Sequence, residues 1–468
     1  MNVALNVIEL NDAGVRIGSE EQHLAESPGY ALLQGNRLLL GTQARSEARL
    51  HPRHTHTQFW SRLSTDALPQ PGPKARTMAD LAYAHLLDVW ALASGSSDAG
   101  GEVVFAVPGQ FDRNQLALLL GIARECPFKA VGLVDLAVAA VAADGSRPGT
   151  VLHVSGQLHR TVITRVTAGD ELQRDRVDDT AATSLLGLQD TMVGLIADAF
   201  IRETRFDPLH EASSEQRLYD NLGGWLAQLE RDGEAMLELD TGRNSFRVNL
   251  HHDALVARLR PRYEQLAERL RSLATEQSVI RLDARMAAQP GLVRTLTGLL
   301  EEHYVELEHD DAVRRGTLAC LTEVRRDGER LAFVTRLPNR HRSEAPKPED
   351  MPHPPAPAEP ERPPSEPATA VSTRPTHLLL GHEAWPLGTA VLRIGGPAGE
   401  GTLPLAGASE PVCTIRVQEG GVRVDPEVHA QIVQDGVAVE RAVHLAPGEE
   451  VLIDNRIRLT PIVVHSGV

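Results

Sequence analysis

The sequence predicts an α/β domain that passes through a proline-rich linker into a small all-β sandwich. Three observations predict it. Over residues 1–343, apolar segments of strand period alternate with segments of helical period. Residues 344–376 are crowded with Pro, Glu and Ala and almost lack large apolar residues, so they cannot bury a core and read as an extended tether. Residues 377–468 hold short strand-like runs punctuated by Gly381-His382, Gly395-Gly396, Gly420-Gly421, Asp435-Gly436 and Pro447-Gly448. That rhythm fits a β-sandwich.

The elements follow in order. Val3 to Glu9 and Val15 to Ile17 read as paired strands, and Tyr30 to Gly41 as a second pair turning at Gly35-Asn36. Met78 to Ala93 places Leu81, Leu86, Leu87 and Trp90 at helical spacing. Val103 to Val107 is an apolar strand running into Pro108 and an amphipathic helix. Ala130 to Val134 is a short strand and Leu136 to Ala143 an alanine-rich helix. Thr150 to Val154 and Arg160 to Val166 are strands joined at Ser155-Gly156-Gln157. Helices are expected over Gln189 to Thr204, Gln216 to Leu229, Asp253 to Ala274 and Leu292 to Glu302. Ala235 to Leu239 and Ser245 to Leu250 form a hairpin, and Ser278 to Leu282 is a strand. No internal repeat is visible.

Bulk properties narrow the class. The 468 residues suffice for about three domains. A net charge of −16 argues against nucleic acid or an anionic membrane as partner. Cys126, Cys320 and Cys413 are scattered and odd in number, so no disulfide framework or zinc spacing follows, and a cytoplasmic setting is the simplest expectation. No signal peptide is read at the N-terminus, and no apolar run reaches the roughly 18 residues of a membrane span.

The order of elements over residues 1–325 resembles the ATPase domain of the DnaK-type 70-kDa heat-shock protein family, a two-lobed actin-like fold. Val7 to Gly14 (VIELNDAG) lies where that family has its first phosphate loop, and Ala44 to Leu63 where it approaches its catalytic lysine, whose position falls on Ser61. Val107-Pro108 and Phe111 match the connecting segment, and Ala139-Ala140 its small-residue helix. Asp135 stands for a catalytic-site glutamate. His153 to Leu158 (HVSGQL) replaces the second phosphate loop, Ala182-Thr183 a Gly-Asp pair, and Leu282 to Pro290 the adenosine loop. Gly187 to Asp190 keeps part of another family motif. Asp311 with Gly316 resembles the helix that closes the domain. The resemblance implies one lobe over about 1–182, a second over about 183–310 and a closing helix to about 325.

Phosphate loops need glycines so that backbone N–H groups can approach the anion, and carboxylates that order Mg²⁺ and water. Here Asn11, Gln157 and Leu158 carry side chains at that approach, and Ser61 offers no cation. Removing one preorganised electrostatic group costs about 10²–10³ in rate, and several are replaced together. The expectation is a protein-interaction or regulatory scaffold with weak or no ATPase activity. The alternative is an active ATP-dependent chaperone or switch with rearranged loops. If ATP or ADP with Mg²⁺ binds, the resemblance places it in a cleft lined by Asn11, Asp12, Gly14, Asp135, Ser155 and Gly156, with Glu9 as candidate metal ligand.

The β domain resembles a forkhead-associated domain in Leu392 to Gly396, Ser409 to Val412, Asp435-Gly436 and Leu445 to Glu449. Gly396 takes the place of that family's phosphate-binding arginine and Val412 that of its histidine, which implies that phosphopeptide reading is lost. Protein partners are expected through this domain. His51 to His56 lacks carboxylate or thiolate companions and reads as a surface loop, not a metal site. Asp253 is expected to cap the helix that follows His251-His252.

Overall fold

The computed structural model describes residues 5–94 and 101–340, apart from positions 243, 277, 327, 329 and 330, together with strand segments and a few flanking positions between 376 and 462. The chain separates into two compact units, Met1–Asp350 and Met351–Val468. The expected linker at 344–376 lies outside the described residues, Thr376 excepted. Among the described residues no helix is long and apolar enough to cross a membrane.

The first unit is mixed α/β. Its first part runs β1 (Leu5–Glu9), β2 (Val15–Gly18), β3 (His23–Ser27), β4 (Ala31–Gln34), β5 (Arg37–Leu40), α1 (Gly41–Arg45), β6 (Thr55–His56), α2 (Met78–Ser94), β7 (Glu102–Val107), α3 (Arg113–Arg124), β8 (Lys129–Asp135) and α4 (Leu136–Asp144). Next come β9 (Gly149–Gly156), β10 (Thr161–Ala168), β11 (Glu171–Thr180), α5 (Leu185–Thr204), α6 (Ala212–Asp232), β12 (Glu234–Asp240) and β13 (Ser245–His251). The unit ends with α7 (His252–Leu273), β14 (Val279–Leu282), α8 (Ala284–Ala287), α9 (Leu292–Leu299), β15 (Tyr304–Leu307), α10 (Ala312–Ala319), α11 (Leu321–Val324), β16 (Phe333–Val334) and β17 (Arg336–Pro338).

Two six-stranded sheets organise it, with orders β16-β8-β7-β1-β2-β3 and β15-β14-β9-β10-β11-β17. In each, an antiparallel three-strand meander is extended beside its first strand by parallel strands reached through helices. The sequence shows no repeat, yet a five-strand order occurs twice, β8-β7-β1-β2-β3 and β15-β14-β9-β10-β11, with β16 and β17 added at opposite ends. The sheets also divide elsewhere than expected. β9 to β11 pair with β14 and β17, so the division falls between α4 and β9, not near residue 182.

Helices α4 and α10 fill the space between the sheets. Leu136 to Ala142 are all buried, and all but Ala137 share one cluster with Val7, Val104 and Ala106 of the first sheet and Val151, Val166 and Leu172 of the second. An alanine-rich helix permits such a contact because its backbone approaches closely. At Gly316 on α10 an added Cβ would overlap the Ala139 carbonyl oxygen. Outer clusters cover the remaining faces, one joining the first sheet to α2 and α3, the other the second sheet to α5, α7 and α9. Trp60, Trp90 and Trp225 all lie in core; the Trp60 indole donates to Nδ1 of buried His85 over 2.9 Å.

Every described element of the second unit is a strand. One sheet orders Glu383–Pro386, His377–Leu380, Ile457–Ile462, Val451–Ile453, Ile432–Gln434 and Val437–Val439. The other orders Thr402–Leu403, Leu392–Gly395, Pro411–Gln418, Gly421–Pro426 and Val443–Leu445. Leu378, Val451 and Leu459 from the first meet Ile394, Ile415 and Val424 from the second in a single apolar cluster. Val412 is buried, whereas Gly396, Ser409, Glu410 and Asp435-Gly436 lie outside the described residues.

Candidate functional site

Apart from Asp135, which ends β8, the candidate residues sit at the ends of β1 and β9, the first strand of each sheet, and on the turns that follow. After β1, Ala13 N–H donates to Asn11 Oδ1 over 2.9 Å and Gly14 N–H to Asn11 O over 3.0 Å. This local Asx geometry suits an asparagine that begins a turn. After β9, the turn closes through Gln157 N–H to Arg160 O at 2.9 Å.

The two turns bond directly to each other. Asn11 Nδ2 donates to Gly156 O over 3.0 Å and to Ser155 Oγ over 3.3 Å. Leu158 N–H donates to Asp12 Oδ1 over 2.8 Å. Asp283, from the segment after β14, accepts from Gly156 N–H at 2.9 Å and from Ser155 Oγ–H at 3.0 Å through Oδ2. Its Oδ1 accepts Met286 N–H at 2.7 Å and so caps α8. Two backbone N–H groups of the turn after β9, those of Gly156 and Leu158, are therefore satisfied by carboxylates of this chain, while Ala13 and Gly14 N–H in the turn after β1 donate to Asn11. Leu158 turns its side chain into a cluster with Tyr30, Leu32, Ala44 and Ala48. A Cβ at Gly156 would meet Met286 Sδ at 3.0 Å and Leu185 Cδ2 at 3.2 Å.

Burial sets the electrostatics. Desolvation pushes the Asp12 carboxyl up to about 6, against the pull of the Leu158 N–H and of Arg160. Its Oδ2 is buried and lacks a hydrogen-bond partner among the described residues. Burial likewise raises Asp283 and Glu9, although Arg285 opposes both shifts.

Glu9 accepts from Arg285 Nη1 at 3.1 Å; Nη2 of the same guanidinium reaches Gly14 O at 2.9 Å and Glu26 at 3.1 Å. A side-chain cation thus occupies the carboxylate that the sequence offers to a metal. The cavity beside it, touching Glu9, Asp283 and Arg285, has a volume of about 10 Å³, the scale of one water at most. Among the described residues no group of three or more His, Cys, Asp or Glu is placed to hold a metal ion.

The other candidates are engaged elsewhere. Asp135 caps α4 through Oδ1, which accepts from Ala137 N–H at 3.0 Å and Val138 N–H at 3.1 Å, while Oδ2 accepts from Arg174 at 2.9 Å. Of the six residues assigned to a cleft, Asn11, Asp12, Ser155 and Gly156 form one hydrogen-bonded group. Gly14 borders it through Arg285, and Asp135 serves a helix cap and an ion pair. Ser61 donates to Gln58 O at 3.3 Å, Gln157 accepts from Gln110 at 2.8 Å, and His153 pairs with Glu308 at 2.7 Å.

His51 to His56 contains a short 3-10 turn and strand β6, and His56 is buried rather than on a surface loop. Asp253 lies in the first turn of α7, whose cap position is His251, so its expected capping role is not met.

Sequence reasoning missed Asp283 and Arg285. The signal for Asp283 was present: an aspartate before Ala284 to Ala287 is a helix cap. No spacing rule points from Arg285 back to Glu9. A second contact between the halves was missed too. Arg49 N–H donates to Gln216 Oε1 at 2.8 Å, and its guanidinium lies 3.7 Å above the Tyr219 ring and 3.2 Å from Asp190. No family model matches the sequence, and no curated protein matches it.

Proposed function

We propose that the first unit is a two-lobed actin-like fold of the heat-shock-chaperone type that serves as a protein-interaction or regulatory scaffold, with weak or no ATPase activity. One observation carries this reading. The N–H groups of Gly156 and Leu158, which a phosphate would require, donate to Asp283 and Asp12. A phosphate entering there would face two carboxylates at hydrogen-bond distance from its own donors, an arrangement that repels an anion. Magnesium does not fit either, since Glu9 holds Arg285 and the adjacent space admits about one water. The doubled strand order supports the fold part of the reading.

The second unit, on this proposal, is a forkhead-associated-like sandwich that meets a protein partner without reading phosphate. Its two sheets share one core, and Val412 is buried where a polar contact residue would stand. Calorimetry with Mg-ATP and steady-state phosphate release test the proposal on the full chain. Neither heat of binding nor turnover is expected at millimolar nucleotide. Micromolar binding with measurable hydrolysis would overturn it in favour of an ATP-dependent switch.

A further inference from the structure

The second sheet of the first unit ends on one side at β15, which pairs with β14 and, among the described residues, with no other strand. The ladder is parallel, with Val279 opposite Tyr304 and Arg281 opposite Glu306. Tyr304 N–H donates to Ser278 O at 3.3 Å and Glu308 N–H to Leu282 O at 2.9 Å. In a parallel ladder alternate residues face the neighbour. Val305 and Leu307 therefore aim their N–H and C=O groups off the free edge. Natural edges are usually blunted by charge, proline or a covering loop. This one instead exposes Tyr304 (68%) and Leu307 (57%).

A cleft of about 800 Å³ lies over the adjoining sheet face, lined by Val279 and Arg281 of β14 and by Tyr304, Glu306 and Leu307 of the edge strand, within the size range of ligand sites. The loop 144–150 forms its other wall and is braced. Ser146 N–H donates to Asn339 Oδ1 at 3.1 Å, Asn339 Nδ2 returns to Ser146 O at 2.7 Å, and Arg281 reaches Gly145 O at 3.3 Å. The acids lining the cleft each have a basic partner within the chain: Asp144 pairs with Arg315, Glu306 with Arg281 and Glu308 with His153. Arg147 also lines it and has no ion-pair partner among the described residues. The loop wall thus presents one cation without an ion-pair partner across the cleft from the edge strand.

We propose that this edge docks an extended peptide segment of a protein partner, whose side chains on one face enter the cleft. The peptide backbone adds a strand along Val305 and Leu307, an acidic side chain pairs with Arg147, and an apolar side chain rests on Tyr304 or Leu307. Main-chain bonds supply affinity in such strand addition and the flanking side chains supply selectivity. A second copy of this chain fits less well. The antiparallel register that uses both outward residues sets Val305 opposite Leu307 of the copy, and Glu306 then faces its own counterpart, a like-charge pair. The proposal stands apart from the question of nucleotide, because the cleft shares none of the turn residues.

A phage-displayed library of random peptides, panned against the full chain, tests it. Enriched peptides are expected to share a short strand-forming run with an acidic residue, and to slow amide exchange at Val305 and Leu307. Arg147→Glu should weaken a selected peptide at least tenfold and Arg147→Lys should largely keep it, both with unchanged unfolding midpoints. Val305→Pro, which deletes an outward N–H, should abolish binding. Failure to enrich such peptides would overturn the proposal, as would equal binding by Arg147→Glu. So would a concentration-dependent dimer, seen by ultracentrifugation, that Val305→Pro dissolves.

Discussion

The Asn11 side-chain amide donates to the Gly156 carbonyl over 3.0 Å, joining turns that are 145 residues apart. Each turn follows the first strand of its own sheet, so this bond ties the two sheets at the place where their topologies correspond. Asn11 is fully buried. Replacing it with alanine would leave Gly156 O and Ala13 N–H without this partner. One buried unsatisfied group costs about 1–3 kcal/mol, so Asn11→Ala should lower stability by about 2–4 kcal/mol. Denaturant unfolding of the variant measures it. A change below about 0.5 kcal/mol would mean that the turns are not held by this residue.

Asp12 offers the reverse sign. Its carboxyl is raised by burial from 3.8 to about 6, so the folded chain holds a proton there that the unfolded chain releases. Stability from this group is gained as pH falls from about 6 to about 4 and is lost as pH rises through that window. Above pH 6 the folded state carries a buried charge whose Oδ2 lacks a partner. Asp12→Asn keeps an oxygen acceptor for Leu158 N–H and removes the charge. The variant should be more stable at pH 7.5 by on the order of 2 kcal/mol, since one pKa unit corresponds to about 1.4 kcal/mol. Its stability should also vary less between pH 4 and 6. Unfolding midpoints across that range decide the matter; parallel curves for both proteins would sink the claim.

Gly316 and Ala139 mark the closest approach of α10 to α4. Glycine to alanine within a helix ordinarily stabilises by up to about 1 kcal/mol. Here the added methyl would overlap the Ala139 carbonyl oxygen and crowd Ala143 N at 2.9 Å, both backbone atoms. Overpacking of this kind costs about 1–3 kcal/mol, so Gly316→Ala should destabilise the first unit. Gly223→Ala on α6, where the new methyl would meet no atom within 4 Å beyond its chain neighbours and its own helix backbone, provides the comparison and should not destabilise. Equal unfolding midpoints for the two variants would refute the close contact.

The elements legible in the sequence are those whose periodicity matches their burial. In β12, alternate residues are buried, as the pattern Ala235, Leu237, Leu239 announces. Helix α2 buries Leu81, Leu86 and Trp90 at the spacing read from the chain. β11 escaped notice because most of its ten residues are charged and Leu172 is its only fully buried side chain. The corresponding strand orders escaped because topology constrains backbone pairing, not residue identity. At the candidate site the turn residues were legible and their partners were not. Asn11 to Gly156 and Glu9 to Arg285 are contacts across 145 and 276 positions, and such pairs carry no local signal. Asn11, Gln157 and Leu158 stand out in the sequence as side chains within the turns. The structure adds that the carboxylates of Asp12 and Asp283 accept the Leu158 and Gly156 N–H bonds.

His153 and Glu308 supply a second pH dependence in a separate window. His153 Nε2 lies 2.7 Å from Glu308 Oε2, and both side chains are nearly inaccessible. Burial by itself would lower the imidazole, but attraction and hydrogen bonding to Glu308, with a smaller pull from Asp283, raise it above 6.5. The folded state therefore binds this proton more tightly than the unfolded state. Its contribution is present in full below pH 6.5 and is lost as pH rises through the folded value. Glu308→Gln removes the anion while keeping a polar group of similar size. The His153 ring, followed by NMR in the full chain, should then titrate at lower pH than in the unsubstituted protein, and the loss of stability above pH 6.5 should flatten. An unchanged titration midpoint would show that Glu308 does not hold the proton on His153.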